Sequence, residues 1–300
     1  MVSEAILVTG ATCPTGELVV QELARRPDVK VRCLVRGTSK VDLLGDAGVL
    51  LCTGDLVTGE GLTNAMSGVD TVIHIAGVRF VRPILQCMRD CRVRGGVFVN
   101  TTGVFSKFKS ASELYQTLEA EMQTSLTAMG ADYVAIRPTM IYGDGRDRNI
   151  CRLFQHFSHH SLFPMFGDGS ALIQPVYFRD VASAILSAYE ALGTHKDFYN
   201  VSGESAMPYR QLLTEIAHLC GRQPIFVHLP LRLTAGAIDV VRRVYPRFPL
   251  KGEQVWRTTE SRDFDHKDAW RDLGFRPLSI EEGLRLEAEA LGVLRESSSK

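Results

Sequence analysis

Apolar residues in the first half of the chain fall into short continuous runs, each followed by a polar or glycine-containing turn and then by a segment with helical spacing. Residues 5–8 (Ala-Ile-Leu-Val) make the first run, and a helical segment opens at Glu17. Further runs occupy 30–35, 49–52, 70–75, 96–100 and 132–137, with a helix predicted over 83–92. Continuous apolar runs, rather than strict alternation, are what strands buried on both faces require. Their alternation with helices predicts an α/β fold built on a doubly wound parallel sheet.

Turns at the strand ends carry the candidate chemistry. The stretch 5–20 reads A-I-L-V-T-G-A-T-C-P-T-G-E-L-V-V. A strand, a glycine turn and a helix start together make a dinucleotide site, because a helix N-terminus offers unpaired N–H groups to a pyrophosphate. Gly10, Thr12, Cys13, Pro14, Thr15 and Gly16 are the residues expected to hold it. The turn resembles the short-chain dehydrogenase pattern T-G-x-x-G-x-x-G with Cys13 at the middle glycine. Cys13 adds a Cβ where phosphates would pass, and a thiol at a helix N-terminus tends toward thiolate. Pro14 suits a first helical turn because it needs no N–H partner. An ordinary strand-to-helix loop is the plainer alternative.

After the second strand, Arg36, Ser39 and Lys40 suit an adenosine 2′-phosphate, which favours NADP(H) over NAD(H); solvated loop charges are the alternative. Asp55, followed by Leu56, is placed to accept from an adenine amino group. Ala76 and Gly77 supply small residues where backbone approaches cofactor, and His74 is expected to be a packed core histidine.

Composition narrows the partners. The 300 residues carry 34 Lys and Arg against 34 Asp and Glu, so no polyanion footprint is present and nucleic acid is excluded as a partner. No apolar run reaches the roughly 18 residues of a membrane span, and the sequence opens directly on a strand, so a cytoplasmic location is expected. Seven cysteines, an odd number, read as reduced thiols. Cys87 and Cys91 share a helix face, but no other Cys/His pair completes a metal set, so no metal is expected.

Later motifs make a resemblance specific. They are D-Y-V-A-I-R-P-T-M-I-Y-G from Asp132, G-D-G from Gly167, Q-P-V-Y-F-R-D-V-A from Gln174, Y-N-V-S-G from Tyr199, L-G-F-R-P from Leu273 and E-G-L from Glu282. In this order they resemble an extended or atypical member of the short-chain dehydrogenase/reductase superfamily, in the NAD-dependent epimerase/dehydratase branch. The resemblance implies a Rossmann-type core over 1–150 and a smaller C-terminal α/β region over 151–300, mainly substrate-binding and interleaved with the last core elements. It also implies a small-molecule substrate, a homodimer paired through the helices near 83–92 and 113–128, and Pro138 beside the nicotinamide.

The family's catalytic set is a Ser/Thr with Tyr-x-x-x-Lys, in which a cation stabilises the phenolate. Thr101 and Tyr115 match the first two, but Glu119 stands where the lysine belongs. A carboxylate there disfavours the phenolate and removes the ribose-binding ammonium. Lys107 or Lys109 reaching back, Glu119 acting as a base or binding substrate hydroxyls, and chemistry without the usual redox cycle all remain open, as does an ordinary helical role for both residues.

In the back half, Phe154, His156, Phe157, His159, His160, Phe163 and Met165 are candidates for lining a pocket, with surface or packing roles as the alternative for the histidines. Arg146 and Arg148 are candidates for an anionic group such as a diphosphate, with solvent-exposed loop charges as the alternative. The amphipathic segment 231–244 is expected to cover the substrate site, with a membrane surface or partner subunit as the alternative. Residues 296–300 read as a frayed tail. The expected activity is that of an oxidoreductase or epimerase/dehydratase-type enzyme acting on an alcohol or ketone carbon of a small substrate, with a nucleotide-linked one among the candidates. The alternatives are a regulatory or scaffold protein that binds NADP(H) without hydride transfer, and a non-redox lyase, isomerase or cyclase.

Overall fold

The structure is a computed structural model that describes residues 3–45, 47–194, 197–245 and 255–295; the tail 296–300 lies outside the described residues. The chain divides into two compact units, one built from residues up to 139 with 178–201 and 265–276, the other from 140–177, 202–264 and 277 onward.

In chain order the elements begin β1 (Glu4–Thr9), α1 (Pro14–Ala24), β2 (Val29–Val35), α2 (Asp42–Gly45), β3 (Leu50–Thr53), α3 (Leu62–Met66) and β4 (Thr71–His74). A 3-10 turn (Val78–Phe80), α4 (Val81–Cys91), β5 (Gly95–Val99), a second 3-10 turn (Thr102–Phe105), α5 (Lys109–Met129) and β6 (Asp132–Pro138) follow. Then come β7 (Ile141–Tyr142), α6 (Ile150–His159), β8 (Leu162–Phe166), β9 (Leu172–Ile173), β10 (Val176–Tyr177), α7 (Phe178–Glu190) and β11 (Phe198–Val201). The chain continues through β12 (Met207–Pro208), α8 (Tyr209–Leu219), β13 (Ile225–Leu229), α9 (Leu231–Val244), α10 (Lys267–Asp272) and α11 (Ile280–Ala290).

The first unit holds a seven-stranded sheet in the order β11-β6-β5-β4-β1-β2-β3, parallel throughout. This is the expected Rossmann-type fold. Ile6, Leu7, Val8, Val72, Ile73, Val97 and Phe98 are fully buried, as continuous apolar runs covered on both faces should be. Strand order reverses between β1 and β4, whose ends Thr9 and His74 lie opposite each other. A parallel sheet gathers all its carboxyl ends on one edge, so the loops after β1, β2, β3, β4 and β5 collect there, the place where such sheets bind ligands.

Helix α5 shows how a site is built on a core element. Leu118, Met122 and Leu126 recur every fourth residue and are buried, each burial stabilising by roughly 1.5–3 kcal/mol. Tyr115 and Glu119 lie on that same inward face, one turn apart. Gly130, at φ +60°, ends the helix in the left-handed conformation that glycine adopts without a Cβ penalty.

No described cysteine is in a disulfide; Cys33, Cys87, Cys151 and Cys220 are buried, and the Cys87 and Cys91 sulfurs lie 3.9 Å apart. No group of three or more metal-ligating side chains occurs among the described residues. No helix among them is long and apolar enough to cross a membrane.

The second unit contains three two-stranded pairings, β7 with β10 and β8 with β13 in parallel, and β9 with β12 antiparallel. The aromatic and histidine cluster of the sequence packs here. Phe154 and Phe157 are fully buried and Met165 nearly so, while His156 lies against Phe157, Phe163 and His160 and bonds the Leu162 carbonyl. These side chains build core and a helix end rather than a ligand cluster.

Candidate active site

The glycine turn forms around two close approaches. At Gly10, φ +74°, a Cβ would stand 2.7 Å from the backbone nitrogen of Ala76. At Gly16 it would stand 2.3 Å from the Gly10 carbonyl oxygen. Both positions admit only glycine, so the cradle a pyrophosphate needs is present despite Cys13. The Cys13 thiol caps α1 by accepting from the Gly16 N–H at 3.3 Å, and Pro14 occupies the first helical turn as its ring requires. Thr15 is buried and Thr12 half-buried beside it.

His74 couples this turn to the loop after β4. One ring nitrogen pairs with the Thr9 hydroxyl at 2.7 Å, the other with the Gly77 carbonyl at 3.0 Å. Burial pushes its pKa down to about 4, so the ring is neutral and positions both loops, as a core histidine rather than a base. Ala76 and Gly77, the latter at φ +94°, follow directly.

Beyond β2, the Ser39 hydroxyl accepts from the Arg36 N–H at 3.2 Å, closing a turn that leaves Arg36 and Lys40 exposed. Past β3, Asp55 accepts from the Val57 N–H at 2.6 Å, and Leu56 packs against the core. Pro138 ends β6, where its carbonyl accepts from the Thr102 hydroxyl at 3.2 Å.

Thr101 and Tyr115 come together across Gly103. A Cβ on Gly103 would stand 3.1 Å from the Tyr115 ring and 3.3 Å from the Thr101 hydroxyl oxygen. That oxygen accepts from the Gly103 N–H at 3.1 Å. The Tyr115 hydroxyl accepts from Arg79 Nη2 at 2.9 Å, and the guanidinium carbon lies 5.3 Å from the ring centre.

Glu119 faces elsewhere. Arg137 grips both its oxygens from Nε and Nη2 at 2.6–3.1 Å, and Asn100 Nδ2 donates at 2.8 Å. The Arg137 guanidinium lies 4.3 Å from the Phe198 ring centre and 5.2 Å from that of Phe105. A buried carboxylate held by a bidentate arginine and an amide is committed to that pairing. Of the two lysines expected in the loop before the helix, Lys107 is there and exposed, whereas Lys109 is the first residue of α5 and its side chain lies outside the described residues.

A family model described as NAD(P)H-binding matches residues 10–160, half of the chain. The chain belongs to this NAD(P)H-binding family. The matched span contains the glycine cradle and the loops after β1 to β5, and these residues fit a bound dinucleotide.

Over its length the protein is similar to a 2-alkyl-3-oxoalkanoate reductase from Stenotrophomonas maltophilia, 22% identical over 93% of this chain and 97% of the relative. It is also similar to NADH dehydrogenase (ubiquinone) 1 alpha subcomplex subunit 9, mitochondrial, of Arabidopsis thaliana, 23% identical over 90% of this chain and 73% of the relative. In fold it matches UDP-glucose 4-epimerase from Thermotoga maritima, solved with UDP-glucose, at a TM-score of 0.74, 20% identity, and coverage of 96% and 98% of the two chains.

Sequence reasoning overlooked Arg79 and the role of Arg137. Arg79 stands two residues past the Gly77 turn, in a segment with no periodicity to flag it, and looks like a surface cation. Arg137 stands one residue before the end of β6, after the run Tyr133 to Ile136, and a charge there was the available signal.

The second unit holds a cavity of ≈ 300 Å³ whose lining includes Met140, Ile173, Tyr209, Arg257, Glu260 and Arg262. Burial, and then the charge of Arg257, lower the pKa of Arg262, and the Arg257 Nε is buried with no hydrogen-bond partner among the described residues. Arg146, by contrast, pairs with Asp144.

Proposed function

We propose that this NAD(P)H-binding protein is an NADP(H)-using oxidoreductase acting on the ketone or alcohol carbon of a small substrate that bears an anionic group. The observation that carries the reading is the arrangement of charge around Tyr115: its hydroxyl takes a hydrogen bond from Arg79, while Glu119 is bound to Arg137. A phenol serves as proton donor and acceptor when a neighbouring cation stabilises its anion. The guanidinium supplies that charge without the family's lysine.

Thr101 spends its lone pair on the Gly103 N–H, which leaves its hydroxyl proton to bond the substrate oxygen. Tyr115 gives a proton to that oxygen on reduction and takes it back on oxidation. When bound, the nucleotide would supply the hydride on reduction and accept it on oxidation.

NADP(H) is favoured by two exposed cations, Arg36 and Lys40, flanking the Ser39 turn, a setting that suits a 2′-phosphate. The anionic substrate group is supported by the name of a relative. The Stenotrophomonas relative is named for a 3-oxoalkanoate, which carries a ketone and a carboxylate. In this reading 1–150 serve the cofactor and 151–300 mainly the substrate, in a cytoplasmic homodimer paired through α4 and α5.

The test is a fluorescence titration with NADPH, then NADPH oxidation with 3-oxo acids and nucleoside-diphosphate sugars. Tyr115→Phe should lower turnover about 10²–10⁴-fold with nucleotide binding unchanged. Arg79→Gln should lose much of the same factor, and Arg79→Lys should recover part of it. Tight NADPH binding without turnover on any substrate favours a second reading, a protein that binds nucleotide without hydride transfer. Glu119 at the position of the family's lysine, together with Cys13 in the glycine turn, supports that alternative. Absence of NADPH binding contradicts both.

A further inference from the structure

Among the described residues, helix α9 buries one face and leaves the other uncovered. Ala235 and Ile238 pack with Val255, Phe166 and Leu231. Opposite them, Leu233, Val240 and Val241 are 73%, 62% and 41% exposed, Ala237 is exposed, and Tyr245 just beyond the helix end is 57% exposed. Exposed apolar residues scattered singly are ordinary. These share one stripe, since at helical geometry positions 233, 237, 240 and 241 fall within about 100° of arc. Arg232 and Arg243, both exposed, lie along one edge of the stripe, about three turns apart.

Charge indicates what covers this face. Between 231 and 251 the sequence carries Arg232, Arg242, Arg243, Arg247 and Lys251 against Asp239 alone, in a chain whose total charges balance. We infer that α9 docks the protein onto an anionic membrane surface. The apolar stripe enters the boundary between headgroups and acyl chains, and the flanking arginines reach the lipid phosphates. No described helix is long and apolar enough to span, so the contact lies on the bilayer. A protein groove would need the stripe but not the local excess of cations. The inference stands apart from the proposed activity, because Arg232, Leu233, Val240, Val241 and Arg243 have no role in it beyond lying in the region read as mainly substrate-binding.

The full-length protein is sedimented with vesicles of phosphatidylcholine alone, and with vesicles containing about a third phosphatidylglycerol. Retention on the anionic vesicles should exceed that on neutral ones by about tenfold or more and fall as salt is added. Leu233→Glu and, separately, Val240→Glu should each cut retention about tenfold, with melting temperature and NADPH binding unchanged. The double variant Arg232→Ser, Arg243→Ser should lower retention on anionic vesicles alone. No retention on either vesicle, equal retention on both, or retention indifferent to Leu233→Glu overturns the inference. So does lipid-free self-association that Leu233→Glu abolishes, which would make a second copy of the chain the occupant of the stripe.

Discussion

Glu119 is where this chain departs from the pattern it otherwise resembles, and its neighbours define the consequence. Its side chain is 7% exposed, that of Arg137 is 18% exposed, and the pair is bidentate. Two such charges stay in a partly dry interior only while each neutralises the other, and removing one strands its partner at a cost of about 3–5 kcal/mol. Glu119→Gln should therefore lower the urea midpoint by a corresponding amount with an unchanged m-value. Glu119→Lys rebuilds the Tyr-x-x-x-Lys spacing on paper but sets an ammonium against the Arg137 guanidinium. It should be less stable still and no more active. Adding Arg137→Gln to Glu119→Gln should recover part of the loss, and the size of that coupling measures the pair. Greater activity in Glu119→Lys would show that the position still answers to the family's chemistry.

At the scale of elements, the turn between β1 and α1 separates what glycine must do from what cysteine merely does. Gly16→Ala drives a Cβ against the Gly10 carbonyl at 2.3 Å, so it should reduce NADPH binding about tenfold or more and lower stability by about 2 kcal/mol. Cys13→Ser puts a stronger acceptor at the same N-cap, and a melting curve should show it stabilised by about 0.5–1 kcal/mol. Strands β1 to β6 were legible within one or two residues because buried parallel strands require unbroken apolar runs. The start of α4 was read two residues late: the helix opens at Val81, and Pro83 sits in its first turn, where a missing N–H costs nothing. Thr101 and Tyr115 were legible as a pair from the family spacing. Arg79 was not, since its value lies in reaching Tyr115 from 36 residues away in sequence. Nor was the Glu119–Arg137 pairing, which joins a helix to a strand end across 18 residues, whereas local spacing reports only neighbours on one element.

At the scale of the whole molecule, each compact unit carries a buried group whose pKa is displaced within the acid-to-neutral range, and the two respond to pH in opposite directions. In the first unit His74 is held neutral, its pKa lowered from 6.5 to about 4 by burial. The unfolded chain binds its proton more readily, so the stability this group contributes is full above pH 6.5 and is lost as pH falls toward 4. In the second unit Glu287, fully buried, has its pKa raised to about 7, first by burial and then by the charge of Asp147, with Asp144 adding to the effect. The Gly145 N–H, donated to both carboxylate oxygens at 3.1 Å, opposes the shift only in part. Here the folded chain holds the proton more tightly, so the contribution is full below pH 4.5 and is lost as pH rises through 7. Each group amounts to at most about 3 kcal/mol, and between pH 4.5 and 6.5 the two trends offset each other. Glu287→Gln removes one side of that balance. By calorimetry, the wild-type melting temperature should change little from these two groups across the window, whereas that of Glu287→Gln should climb with pH as His74 is left to act alone. If the units melt separately, the wild-type transitions should move in opposite directions over the same range. Parallel pH dependence in wild type and Glu287→Gln would show that Glu287 is ionised in the folded protein throughout.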